Sequence, residues 1–205
     1  MIIGCSGSKI KPDKRLMMIE QVIDKEYHER KDFFKKEFVN HFPEKLHSNY
    51  ITFTDCESPE GGPLTLRLIN KINEEQSITK LIEKAMVHYA ADDSCLLIVN
   101  RFATKDRFYK IVLSAKEKDI VNKNCYNDKV PIPNFWDSKI FSNTTDTRLP
   151  ADFIIYVLDY KAGKFASNNL LTDGGFMPKK WKNGYSKGLA VSEKQKIIIY
   201  WIEIW

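Results

Sequence analysis

The 205-residue chain has no apolar run near the roughly 18 residues that a membrane span needs, so no transmembrane helix is expected. Its first residues, Met1-Ile2-Ile3-Gly4-Cys5, lack a basic segment followed by a long apolar core, and no secretion signal is read there. Cysteine is sparse: Cys5, Cys56, Cys95 and Cys125 lie far apart, without a Cys-x-x-Cys pair. That spacing predicts reduced structural thiols in a cytoplasmic protein. The segment Gly4-Cys5-Ser6-Gly7-Ser8-Lys9 lacks the Gly-Lys-Ser/Thr ending of a phosphate loop, and no basic partner can be named for Cys5. Near His41 and His47 no cysteine or acid stands at metal-ligand spacing. Internal repeats, low-complexity tracts and interdomain linkers are also missing, so residues 1–205 read as a single domain.

What is present is enough apolar material for a core, 43% of residues, and a modest net charge of +5. Lys and Arg gather at residues 9–15, 116–129 and above all 179–196. This distribution permits an acidic partner, nucleic acid included, and fits an ordinary lysine-rich solvated surface equally well. The abundance of Lys, Asn and Ile suggests an AT-rich bacterial or phage genome.

Pattern is strongest over residues 77–113. Ile78, Leu81, Ile82, Ala85, Met86, Tyr89 and Ala90 recur at helical steps behind Ser77, a suitable N-cap. The run Cys95-Leu96-Leu97-Ile98-Val99 predicts a strand covered on both faces. A second strand is predicted from Phe108 to Leu113. Upstream, Asp13 to Phe42 predicts a helix. Its stripe is Leu16, Ile19, Val22, Ile23 and Tyr27, then Phe34, Phe38 and Phe42, with a break near residues 30–32. Tyr50-Ile51-Thr52-Phe53-Thr54 predicts a strand, residues 55–63 a loop and Leu64 to Ile72 a short helix. Pro131 and Pro133 predict loop or edge structure, and Phe153 to Leu158 a buried strand. The last ten residues alternate. Ile197, Ile199, Trp201, Glu203 and Trp205 fall on one side, and Ile198, Tyr200, Ile202 and Ile204 on the other. Together these elements predict an α+β fold. A mainly antiparallel sheet would have a central amphipathic helix and the helical N-terminal part, about residues 13–46, packed on it.

Three constellations are candidates for function. Asp146 or Asp152 followed by Asp159-Tyr160-Lys161 resembles the acid, acid-x-Lys arrangement of restriction-type nucleases. There two acids bind Mg²⁺ and the lysine positions the attacking water. Read blandly, the same residues are a strand running into a turn. Lys179, Lys180, Trp181, Lys182, Tyr185 and Lys187 interleave cations with aromatics, as a surface that contacts phosphates and stacks on bases would. The bland reading is a basic loop anchored by one tryptophan. Phe34, Phe38 and Phe42 form an aromatic stripe that is either core or a partner-binding face.

Helix, polar loop, Cys95-Leu96-Leu97-Ile98-Val99, hairpin and Tyr109-Lys110-Ile111-Val112-Leu113 follow one another in an order that resembles the middle of the bacterial nucleoid-associated (NdpA-like) proteins. Phe153 to Leu158 with Lys161-Ala162-Gly163-Lys164 resembles a later segment of that family. The likeness covers about half the chain and rests on pattern, and this chain is shorter than those proteins. It implies association with DNA and no catalytic centre. The expectation is a cytoplasmic, non-enzymatic protein without cofactor, metal or membrane partner. It would bind nucleic acid or act as an accessory subunit of a nucleic-acid-processing complex, for instance in phage–host conflict. The alternatives are a Mg²⁺-dependent nuclease and a protein-interaction module that uses the N-terminal helix.

Overall fold

The structure is a computed structural model. It describes residues 14–46, 50–56, 63–72, 78–102, 114, 117, 123–135, 141–142, 144–167, 170–171, 173–174 and 177–205. The elements are α1 (Lys14–Asp32), α2 (Lys36–Val39), β1 (Tyr50–Cys56), β2 (Leu64–Lys71), α3 (Thr79–Ile82), β3 (Val87–Ala90), β4 (Ile154–Ala162), β5 (Gly184–Ser192) and β6 (Ile197–Ile204). The six strands form one sheet in the order β1-β2-β6-β5-β4-β3, and every pairing is antiparallel. The last strand therefore lies in the middle of the sheet, between β2 and β5.

Alternation along β6 divides the core into two layers, as the sequence predicts. Ile198, Tyr200, Ile202 and Ile204 join Leu64, Leu66 and Leu68 of β2 and Leu189 and Val191 of β5 in one buried cluster. Tyr27 of α1, Phe38 and Val39 of α2, and Phe34 and Phe42 beside α2 complete it. Ile199 and Trp201 face the other way with Ile69, Ile155, Val157 and Ala190. That second face is covered by loop residues: Leu96, Ile98, Val130, Ile132, Phe135, Leu149 and Phe153. Burying apolar area on both faces is the main stabilising term here, at roughly 25 cal/mol per Å².

Several expectations are corrected. The central helix shrinks to the four residues of α3, and Val87–Ala90 is a strand paired with β4, Val87 opposite Val157 and Tyr89 opposite Ile155. Apolar positions spaced for a helix also suit a strand that buries Tyr89, and edge pairing with β4 outweighs helix propensity, which is a weak prior. Leu96 to Val99 is buried as predicted, with Cys95 half-buried, but the run is not a strand of the sheet. It makes a single parallel bridge, Ile98 to Ile132, with Val99 N donating to Ile132 O at 2.9 Å and Ile132 N to Leu97 O at 2.9 Å. Leu64–Lys71 is a strand and not a helix, and the basic aromatic segment is a 3₁₀ turn at Lys179–Trp181 that leads into β5 from Gly184. The stripe on α1 is incomplete, because Val22 is exposed while Tyr27 is fully buried. The predicted break is real: α1 ends at Asp32. The predicted strand at residues 108–113 lies outside the described residues, as do Trp136 and residues 57–62 of the predicted loop.

The thiols are not all reduced. Cys95 and Cys125 are joined in a disulfide across 30 residues, with their Cα atoms 6.0 Å apart, a separation the bond accepts without backbone movement.

Trp201 stands at a close approach between strands in the middle of the sheet. It lies opposite Gly188 on β5 and Arg67 on β2. A Cβ added at Gly188 would stand 2.0 Å from the Tyr156 carbonyl oxygen and 2.8 Å from the Trp201 ring. Neither neighbour can yield, because one is backbone in β4 and the other a fully buried indole. Gly188→Ala is therefore expected to destabilise by at least about 3 kcal/mol in urea unfolding, at the top of the range for overpacking. A cost under about 1 kcal/mol would mean that β4, β5 and β6 are not in this register.

Candidate functional site: an aromatic groove beside a buried polar cluster

The connection between α1 and α2 is a tight turn, held by Phe34 N donating to Lys31 O at 3.0 Å and Phe38 N to Lys35 O at 2.9 Å. The chain after α2 is tied back to α1. The Tyr27 hydroxyl and Lys31 Nζ both donate to Pro43 O, at 2.8 and 2.9 Å, and Leu46 N donates to the Asp24 carboxylate at 2.9 Å. This folding puts Phe33, Phe34, Lys35 and Phe38 on one wall of a groove. Phe165, Ala166, Ser167 and Leu170, beyond the end of β4, make the other wall, with Leu64 and Ile204 also lining it. The groove encloses about 230 Å³. At its base Phe38, Phe165 and Tyr185 meet edge to face, with centroids 4.7 to 6.2 Å apart, the arrangement aromatic quadrupoles favour. Phe33 stands at the rim, 42% exposed.

Beside the groove is a layer of buried polar groups. The Tyr185 hydroxyl donates to Asp159 at 2.8 Å, and burial first, then the Asp159 carboxylate, raise its pKa. Lys187, 7% exposed, donates to the Glu37 carbonyl and, at 3.1 Å, to the Asn40 side-chain oxygen, so it clamps α2 to β5. Burial lowers its pKa, and Asp159 and Glu37 oppose the shift. His41 Nε2 donates to Trp201 O at 3.0 Å, which fixes the neutral tautomer. Its Nδ1 is buried without a partner among the described residues. Burial pushes His41 down to about 3, helped by the charges of Lys187 and Lys31 and opposed by the Trp201 and Gly188 carbonyls. On the opposite face Arg67 donates to Glu203 at 2.8 Å, both 2% exposed, with the guanidinium 5.3 Å from the Phe135 ring centroid. Burial lifts the Glu203 carboxyl to about 7, against the pull of Arg67.

The predicted site residues scatter. Trp181 is 4% exposed, packed near Trp205 and Tyr160, and its carbonyl accepts from Trp205 Nε1 at 2.9 Å. Tyr185 and Lys187 are buried, so they and Trp181 are core and not a phosphate- or base-contacting surface. Lys179, Lys180 and Lys182 remain exposed, Lys182 in an ion pair with Asp173 at 3.2 Å. Phe34, Phe38 and Phe42 are 4 to 6% exposed, so the stripe is core, and only Phe34 and Phe38 reach a groove wall.

The proposed nuclease acids do not converge. Asp146 pairs with Arg101 at 2.7 Å in the loop layer. Asp152, just before β4, accepts from Ser192 and from Gln195. Asp159 lies seven residues further along, roughly 20 Å for extended chain, beside exposed Lys161. Among the described residues no group of three or more His, Cys, Asp or Glu could hold a metal ion. The sequence reading missed Phe33 and Phe165, and it weighed His41 only as a metal ligand. The adjacent pair Phe33-Phe34 was the available signal, since one ring of such a pair must leave a helical stripe.

No protein-family model, curated protein or solved structure matches this chain. No helix among the described residues is long and apolar enough to cross a membrane.

His41 and Glu203 act on stability in opposite directions. Between about pH 3 and 6.5 the unfolded chain binds the proton that folded His41 refuses, so stability rises with pH. Between about 4.5 and 7 folded Glu203 holds a proton the unfolded chain releases, so stability falls with pH. Asp93 and Asp152 have lowered pKa values, so their contributions are lost only at lower pH, as it falls through their folded values. Wild type should therefore show a shallow profile from about pH 4.5 to 6.5. Glu203→Gln should expose a rise of up to about 1.4 kcal/mol per pH unit, and His41→Gln a fall. Urea unfolding at stepped pH checks this; identical slopes in all three proteins would rule out the assignment.

Proposed function

We propose that this chain is a non-enzymatic binding domain and that the groove between Phe33 and Phe165 takes a large apolar side chain from an extended, acidic segment of a partner protein. The observation that carries the reading is the groove itself: phenyl rings on both walls, one of them standing exposed at the rim, and Lys35 in the lining. At about 230 Å³ it is smaller than the roughly 300–1,000 Å³ of cofactor and drug-sized sites, which favours an inserted side chain over a cofactor. Lys35, with Lys36 following it, favours acidic residues beside the anchor. Aromatic anchors seated in such pockets carry most of the energy of many interfaces.

A random peptide library displayed on phage tests this. Selection on the folded protein should enrich peptides that carry an aromatic or long aliphatic residue flanked by Asp or Glu. Phe33→Ser should lower capture of those peptides at least about tenfold, a loss of about 1.4 kcal/mol, while leaving the unfolding midpoint unchanged. Lys35→Glu should weaken capture and shift the enriched flanks toward basic residues. No enrichment, or capture indifferent to Phe33→Ser, would end the reading.

The exposed Lys179, Lys180 and Lys182 support a second reading, in which the protein associates with nucleic acid through phosphate contacts alone. Affinity for duplex DNA should then fall steeply with salt, and the triple substitution to Ala should reduce the slope by about one unit per lost contact. With Trp181 buried, Trp181→Ala is a folding defect and not a stacking probe. Absence of binding at about 50 mM salt would remove this second reading.

A further inference from the structure

We propose that the folded domain works outside the cytoplasm with its Cys95–Cys125 disulfide closed, and that Cys5 is an S-diacylglyceryl attachment site that tethers it to a membrane. Two independent observations carry this. The first is the disulfide. It joins half-buried Cys95, just before the buried run 96–99, to the short 3₁₀ helix Asn124–Tyr126, next to a core cluster of Leu97, Val99, Tyr126, Trp181 and Trp205. Cys125 is exposed, so thiol reductants reach the bond. Cytoplasmic glutathione and thioredoxin keep such pairs open, whereas oxidising compartments beyond the inner membrane keep them closed.

The second observation is the sequence around Cys5. Two branched apolar residues, Ile2 and Ile3, stand at the third and second positions before the cysteine; glycine stands immediately before it, and the small polar residues Ser6, Gly7 and Ser8 follow. Small residues at the cleavage point are what an export peptidase accepts. At the end of a bacterial export leader, a cysteine directly after an apolar-apolar-small triplet takes a lipid on its thiol. The Cys5 thiolate displaces the phosphate ester at a glyceryl carbon of phosphatidylglycerol. A carbon–sulfur thioether forms, the carbon–oxygen bond to phosphate breaks, and glycerol phosphate leaves with the thiol proton. Water then cleaves the Gly4–Cys5 peptide bond and frees the Cys5 amine. Two acyl chains suffice for stable anchoring where one does not. The chain needs no spanning helix under this scheme, and the scheme departs from the cytoplasmic placing that cysteine spacing suggested. Delivery to the membrane enzymes requires an export leader encoded ahead of Met1, so the test uses protein made from its own locus.

Detergent-phase partition and intact mass of the native protein provide the test. Wild type should enter the detergent phase, begin at Cys5 and carry a diacylglyceryl mass, and cells fed labelled palmitate should label it. Cys5→Ala should move it to the aqueous phase and abolish the label. Under denaturing, non-reducing conditions Cys95 and Cys125 should resist maleimide, and both should react after reduction. Wild type found in the aqueous phase with residues 1–4 attached overturns the anchor. Free thiols at Cys95 and Cys125 overturn the placement outside the cytoplasm.

Discussion

The pairing of β6 between β2 and β5 is the interaction on which the rest of the molecule depends. Its eight residues are matched in antiparallel register on both sides, and its two faces anchor the two layers of the core. A strand placed there can be apolar on every position without cost, because helices and turns cover one face and loops the other. Trp201 concentrates the constraint. Its indole takes the space that Gly188 leaves empty, meets Phe135 edge to face, and its carbonyl fixes His41. The loop layer, the sheet and the segment after α2 therefore meet at one residue.

That arrangement also explains why charged groups are found inside. Glu203 occupies an inward position of the central strand and reaches Arg67 on β2, and Lys187 occupies an inward position of β5 and reaches α2. Breaking either contact by removing one partner would strand the other in a dry environment, which costs more than the pair itself contributes. These groups hold elements in register. The groove lies where that organisation runs out, between the α1–α2 turn and the segment after β4, and it can present an aromatic rim because its walls are supported by Tyr185 and Phe38 underneath. A binding surface on a rigid, ring-packed base loses little entropy when occupied.

The disulfide and the groove lie on different parts of the molecule, the first in the loop layer with Trp181 and Trp205, the second on the helical side. A domain built so can be oxidised without the disulfide touching the apolar groove.

The alternation at residues 197–205, the run 153–158 and the aromatic-rich helical segment at the N-terminus were legible as local pattern, because a period of two or four reports directly which face is apolar. The break after Asp32 was legible too. What local pattern could not decide was partnership. Val87–Ala90 became a strand because β4 offered an edge, and Leu97–Val99 became buried coil because Ile132 offered a single bridge. Trp181, Tyr185 and Lys187 look like a basic aromatic surface in the chain. They are interior only because β5 pairs with β6 and turns them toward Trp205 and α2. The same holds for the groove, whose walls are about 130 residues apart in sequence and meet only in the folded structure. Composition and period determined which residues had to leave water. Long-range pairing alone decided which of them met, because contacts between distant residues leave no spacing in the sequence to read.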